Sequence, residues 1–336
     1  MAPRDDIRQR RDSAFSINLG VSSEDKVMEM ITRRDGLYAV SLDKIIRVNL
    51  PDDADPAMQH ANAPITQTLI VENGSRSSIV ARTILQAKDF SRFFPAQEKQ
   101  ERMQDIAWEV MFSLLAMDRI VTHLNTSIES KKATISEDYS RYVTGASPPP
   151  PPIVEDLELQ FRSAVLISNH AVNTISELFS VFFDVNFRRG AFDRITSWSS
   201  QRFGKDDVLT LMLEGDHRWI NTWGEVRNAF EHPKEDYYVK VNNFRLLPDR
   251  QIQIPTWQLK HPKLDLFRPQ DLVGQLRIHQ SNILGLFENL LVLLVDKAAS
   301  LPVPVALIDK KETDRDPDCP KRYDLQFVIP VPPKSK

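Results

Sequence analysis

Apolar residues along this chain recur mostly at helical spacing, in blocks separated by polar and proline-rich stretches. In the clearest block, 97–128, Met103, Ile106, Ala107, Val110, Met111, Leu114, Met117, Val121 and Leu124 follow at threes and fours, which predicts a long amphipathic helix. Five consecutive prolines, Pro148 to Pro152, then stop helix formation and stiffen a surface connection. The block 154–188 has helical spacing and neither Gly nor Pro, so it predicts a second long helix, buried in its later half. A shorter helix is expected from Asp206, a suitable N-cap, with a bend or break at Gly215 before the stretch from Asp216 to Phe230. A last strong helix covers about 269–300, with Leu272, Val273, Leu276, Ile283, Leu284, Phe287, Leu290, Leu291 and Leu294 as core candidates.

Elsewhere the pattern alternates. GLYAVSLDKIIRVNLP and ITQTLIVENG read as strands and, with a short helix expected over 24–33, define a small α+β region at 21–96. YYVKVNNFRLLPDRQIQIPTWQLK reads as two strands joined at Pro248-Asp249, a hairpin inserted at about 237–260. Residues 301–336 read as a proline-rich C-terminal tail holding one strand-like piece, YDLQFVIPV, and residues 1–20 as a disordered tail rich in Arg and Asp. The fold class is therefore mainly α: a helical bundle over 97–300 with an inserted hairpin and a small α+β N-terminal region.

Composition narrows the setting. A formal net charge of -3 over 336 residues gives no global attraction to nucleic acid or acidic membranes, so any RNA contact has to be local. The single cysteine, Cys319, cannot form an internal disulfide, which fits a reducing cytoplasm. The opening MAPRDDIRQRRDSAF lacks the apolar core of a secretory signal. The most apolar run, Ile283 to Val295, contains Glu288 and Asn289 and is too short for a bilayer, so we expect a buried helix and no membrane partner.

Phosphate-cradling glycine loops, dinucleotide fingerprints, HExxH and nucleophile elbows are absent. No two of the seven histidines stand at a spacing that puts both on one helix face, so neither a metal nor a cofactor is expected. What remains is Arg227-Asn228-Ala229-Phe230-Glu231-His232-Pro233, at the end of a predicted helix. This segment resembles the motif of the HEPN superfamily (higher eukaryotes and prokaryotes nucleotide-binding), compact helical bundles that carry Arg, a following polar residue, and His after a gap of four to six. Arg227, Asn228 and His232 match it, with four residues in the gap.

The resemblance implies a HEPN-like bundle and a metal-independent endoribonuclease, a toxin or phage-defence effector, in which the RNA 2′-hydroxyl attacks the adjacent phosphorus. Arg227 would bind the phosphate and stabilise developing charge. His232 would act as general acid or base, and Asn228 would orient one of these groups. The resemblance also implies a homodimer that brings two motif copies into one cleft, RNA as substrate and, for a toxin, a neutralising protein partner. On a continuous helix, positions five apart diverge by about 140°, so Arg227 and His232 would not converge. Pro233 biases His232 away from α conformation, which ends the helix there and frees the imidazole.

The same residues also suit a helix end without chemistry. Arg227 there is favoured by the helix dipole, and Glu231 can pair with it. A non-catalytic HEPN-like module that binds nucleotide, RNA or a protein partner is the alternative reading. Trp219 and Trp223, one turn apart, are expected in the core rather than stacked on bases, and FRRGAFDR at 187–194 as a solvated helix end. The segment at 214–217, Glu-Gly-Asp-His, is read as turn and capping chemistry rather than a metal site.

Overall fold

The computed structural model describes residues 25–60, 63–93, 96–139, 150–187, 192–249, 251–264, 268–298 and 305–327, and the tail expected at 1–20 lies outside them. Among the described residues the protein is mainly α-helical with several small antiparallel sheets. It divides into two compact units, one of residues 1–108 with 298–336 and the other of residues 109–297.

The first unit is built on a four-stranded antiparallel sheet, β1 (Val27–Arg33), β2 (Gly36–Ser41), β3 (Ile45–Asn49) and β4 (Thr66–Val71), in chain order. Residues 24–33, expected as a short helix, instead supply the edge strand β1, because the Arg33↔Gly36 pair closes a tight turn onto β2. Gly36 sits there at φ +147°, a conformation that side chains disfavour. In the second half of β1 exposure alternates, Met30 at 38 % and Ile31 at 1 %. One turn, α1 (Pro51–Ala54), precedes β4, and a longer helix, α2, runs from Ser78–Val80 through a π-helical turn, Ala81–Leu85, into Gln86–Ser91. Its buried Val80, Ile84, Leu85 and Phe90 join Val40, Ile45 and Val48 of the sheet in the unit's core.

The segment beyond residue 300 is more than a tail. β10 (Val305–Asp309) and β11 (Tyr323–Phe327) form an antiparallel hairpin whose register runs from Val305↔Phe327 to Asp309↔Tyr323. The buried Gln86 amide donates to the Tyr323 carbonyl at 3.1 Å and accepts from its N–H at 3.0 Å. Ser75 Oγ donates to the Asp318 carbonyl at 2.6 Å. A strand-edge backbone buried without such partners would cost stability, and here the side chains of α2 and its preceding turn supply them.

The long helix expected at 97–128 runs on to Tyr139 as α3 (Gln97–Tyr139), and the boundary between the units falls within it. In the first unit, Trp108 of α3 packs against Tyr38 at 4.8 Å between ring centroids, with Arg33 over its indole.

The second unit contains α4 (Leu157–Ser176), α5 (Leu178–Phe183), α6 (Phe192–Phe203), α7 (Val208–Glu231) and α8 (Leu272–Ala298). The single helix expected over 154–188 is two, because the chain turns at Glu177 and ends at Asp184 in left-handed conformation, φ +56°. Helix α6 escaped the sequence reading: Phe192, Ile195 and Ser199 form its buried stripe, and most of the other positions are polar or charged. In α7 the cap is Asp207, not Asp206, accepting from the Leu209 N–H at 3.0 Å and paired with Lys297 at 2.6 Å. Gly215 does not break α7; an added Cβ would meet open space, so this glycine costs helix propensity without changing the path.

Helix α8 is long and apolar enough to cross a membrane by composition alone. Leu276, Ile283, Phe287, Leu290, Leu291 and Leu294 are nonetheless fully buried within the protein, as in a core helix. The hairpin after α7 is larger than two strands. β5 (Tyr238–Asn242) pairs with β8 (Thr256–Lys260), which pairs with β9 (Gln270–Asp271), while β6 (Arg245–Leu246) and β7 (Ile252–Gln253) form a separate ribbon at the tip. Phe161 of α4 is fully buried and gathers Trp223, Phe230 and Trp257 around it at 5.4–6.3 Å between ring centroids, which fixes the sheet to α4 and α7.

Candidate functional site

The last turns of α7 carry Arg227, Asn228 and His232. The helix ends at Glu231, because Pro233 forbids the next helical residue from being followed normally; His232 turns out at φ -133°, ψ 57°, with its N–H still bonded to the Asn228 carbonyl at 2.8 Å. Its side chain is exposed. The guanidinium of Arg227 faces elsewhere, donating through Nη2 to Glu231 Oε2 at 2.6 Å and through Nη1 to Asn228 Oδ1 at 3.1 Å. No hydrogen bond joins the His232 imidazole to Arg227 or Asn228 among the described residues. Arg227 and Asn228 are thus brought together, and His232 stands apart at the same helix end.

The hairpin adds groups that the motif does not contain. The Tyr237 hydroxyl donates to Glu225, 2.6 Å from its Oε2 and 2.9 Å from its main-chain oxygen. Burial, together with the Glu225 carboxylate, pushes the Tyr237 phenol well above its ordinary range, with Asn228 opposing them. His261, at the end of β8, lies with Nε2 3.5 Å from Glu225 Oε2 and its imidazole edge-on to Tyr237 at 5.2 Å. Two polar clusters result, Glu231 with Arg227 and Asn228, and Tyr237 with Glu225 and His261.

Sequence reading missed Glu225, Tyr237 and His261, although two signals were present. Glu225 and Asn228 stand at i and i+3, about 60° apart around α7. The β5–β8 register pairs Tyr238 with Lys260, so the next positions outward, Tyr237 and His261, face each other. The register, however, depends on which residues pair, and the chain does not announce that.

Other motifs fall into structural roles. Trp223 is buried, and Trp219 donates its indole N–H to Asp216 at 2.8 Å. Burial raises the Asp216 carboxyl above its ordinary range, opposed by that hydrogen bond. His217 is held between Asn221 at 2.7 Å and Asp193 at 3.0 Å, and no group of three His, Cys, Asp or Glu suited to a metal exists among the described residues. Of the basic stretch at 187–194, residues 188–191 lie outside the described residues.

Among the described residues, the fold is mainly α, and a β-hairpin meets the end of the helix that carries Arg227, Asn228 and His232. No protein-family model, no curated protein and no solved structure matches this chain.

Proposed function

We propose that this chain is a HEPN-like, metal-independent endoribonuclease of the toxin or phage-defence kind, acting in the cytoplasm as a homodimer of helical bundles. Arg227 binds the scissile phosphate, Asn228 orients it, and His232 transfers a proton. The observation that carries the reading is the end of α7: an exposed histidine released from helical geometry, one turn beyond an arginine already coupled to an asparagine. RNA is the substrate class, and a toxin of this type would be kept silent by a neutralising protein.

The test is cleavage of RNA by the purified protein in chelator, compared with Arg227→Ala and His232→Ala. Cleavage by the wild type with a 2′,3′-cyclic phosphate product, lost in both variants, supports the proposal. Equal activity in all three preparations, or none in any, ends it.

One observation favours a second reading, a helical module that binds nucleotide, RNA or a protein without turnover. Arg227 is occupied by Glu231 at 2.6 Å, so an incoming phosphate has to displace a carboxylate before it can bind. That reading expects the two substitutions to change binding or assembly with no product in any preparation.

A further inference from the structure

Cleavage of RNA by its own 2′-hydroxyl needs two proton transfers, one from the attacking oxygen and one to the leaving oxygen. Within the motif His232 supplies a group for one of them, and the Glu231 carboxylate beside it is paired with Arg227 at 2.6 Å. Glu225 has the placement that the second requires. Its Oε2 accepts from Tyr237 at 2.6 Å and lies 3.5 Å from His261 Nε2, whereas Oε1 has no hydrogen-bond partner among the described residues. The imidazole is itself fixed: Nδ1 accepts the Lys263 backbone N–H at 3.0 Å, which leaves the ring hydrogen on Nε2, toward Glu225. These two, Tyr237 from the turn before β5 and His261 from the end of β8, are the titratable groups that face the carboxylate. The Glu225 side chain is 37 % exposed.

Glu225 stands about two turns before the end of α7, with Asn228 between it and His232, which follows the last helical residue, Glu231. Side chains on a helix lean toward its N-terminus, so what leaves the imidazole free to turn toward the same phosphodiester as Glu225 is the release of His232 from the helix.

We infer that Glu225 is the second acid–base residue of this site and that Tyr237 and His261 are its positioning residues, an inference that rests on the ribonuclease reading above. Glu225 takes the 2′-hydroxyl proton as the 2′-oxygen bonds to phosphorus; the bond from phosphorus to the 5′-oxygen breaks, and protonated His232 gives that oxygen its hydrogen. The products are a 2′,3′-cyclic phosphate and a 5′-hydroxyl, and proton exchange with water restores both side chains. Both proton-transfer groups then come from one chain, without a histidine from a second copy.

The experiment is a pH–rate profile for the full chain on an RNA oligonucleotide with a single ribose at the cleavage site, in chelator. The wild type is expected to give a bell. Glu225→Gln is expected to lose on the order of 10²–10⁴-fold in kcat and to flatten the acid limb, and His232→Gln to flatten the alkaline limb. Tyr237→Phe and His261→Leu each remove a donor from the carboxylate, so both move the acid limb to higher pH while KM changes by less than about twofold. Glu225→Asp, which keeps a carboxylate, is expected to recover part of the rate with its acid limb. A Glu225→Gln variant with the wild-type rate and acid limb, or a Glu225→Asp variant as inert as Glu225→Gln, overturns the inference and leaves the ribonuclease reading standing. A wild type that cleaves nothing overturns the reading itself, and the inference with it.

Discussion

The imidazole of His279 on α8 lies face to face with the indole of Trp223 on α7, ring centroids 4.0 Å apart and planes 6° from parallel. His279 is 1 % exposed, and neither ring nitrogen has a hydrogen-bond partner. Burial pushes its pKa down from 6.5 to about 3, so the folded protein holds it neutral.

The sign of the pH effect follows. Between pH 6.5 and 3 the unfolded chain binds a proton at this residue that the folded chain refuses. Its contribution to stability is complete above pH 6.5 and is lost progressively as pH falls, to an order of 5 kcal/mol across the interval. His279→Phe keeps a stacked ring without polar atoms to desolvate. Urea unfolding at pH 7 and pH 4.5 is expected to show a shallower acid loss for this variant, with stability at pH 7 equal or higher by about 1 kcal/mol. Equal acid losses in the two proteins would show that the folded state protonates His279 readily.

Glu231 competes with any phosphate for Arg227. Glu231→Gln is expected to tighten binding of single-stranded RNA severalfold, read by fluorescence anisotropy at fixed salt. The pair spans one turn and is partly exposed, so its removal is expected to cost no more than about 0.5 kcal/mol in thermal unfolding. Unchanged RNA affinity would argue that Arg227 is not a phosphate ligand.

Gln86 and Tyr323, far apart in sequence, share two hydrogen bonds of 3.1 and 3.0 Å in the interior of the first unit. Gln86→Leu removes both hydrogen bonds, at about 0.5–1.5 kcal/mol each. Amide exchange is expected to accelerate selectively across 305–327, with 272–298 retaining its protection. Uniform acceleration would indicate general destabilisation instead.

At Gly74 a Cβ would stand 2.2 Å from the Ser41 carbonyl oxygen and 2.5 Å from the Asp43 nitrogen, both backbone atoms that cannot swing aside. Gly74→Ala is expected to cost roughly 3 kcal/mol, whereas Gly215→Ala, facing open space on α7, is expected to add up to about 1 kcal/mol. Denaturant midpoints of the two variants should move in opposite directions.

Several parts of this architecture were legible because they depend on local rules. The stripe from Met103 to Leu124 has one amphipathic solution, a helix, and that helix forms; the alternation in 36–51 has one strand solution, and β2 and β3 form. Pro233 fixes the end of α7 for a purely local reason, the clash between a proline ring and a helical residue before it. Where local signals were weak or conflicting, neighbours decided. The residues of β1 carry apolar groups at both helical and strand spacing, and pairing with β2 selected the strand. Gly215 signals a break, but a helix packed on both sides of it continues through.

The site shows the same division. Sequence by itself determined that Arg227, Asn228 and His232 share a helix end, since their spacing and Pro233 are properties of the chain. Only tertiary structure decided that Arg227 turns to Glu231 and Asn228, that His232 stays exposed, and that Tyr237 and His261 close on Glu225. Those contacts depend on how β5 and β8 register and on the Phe161–Trp223–Trp257 packing that holds their sheet against α7, non-local choices made by burial and shape rather than by the residues next along the chain.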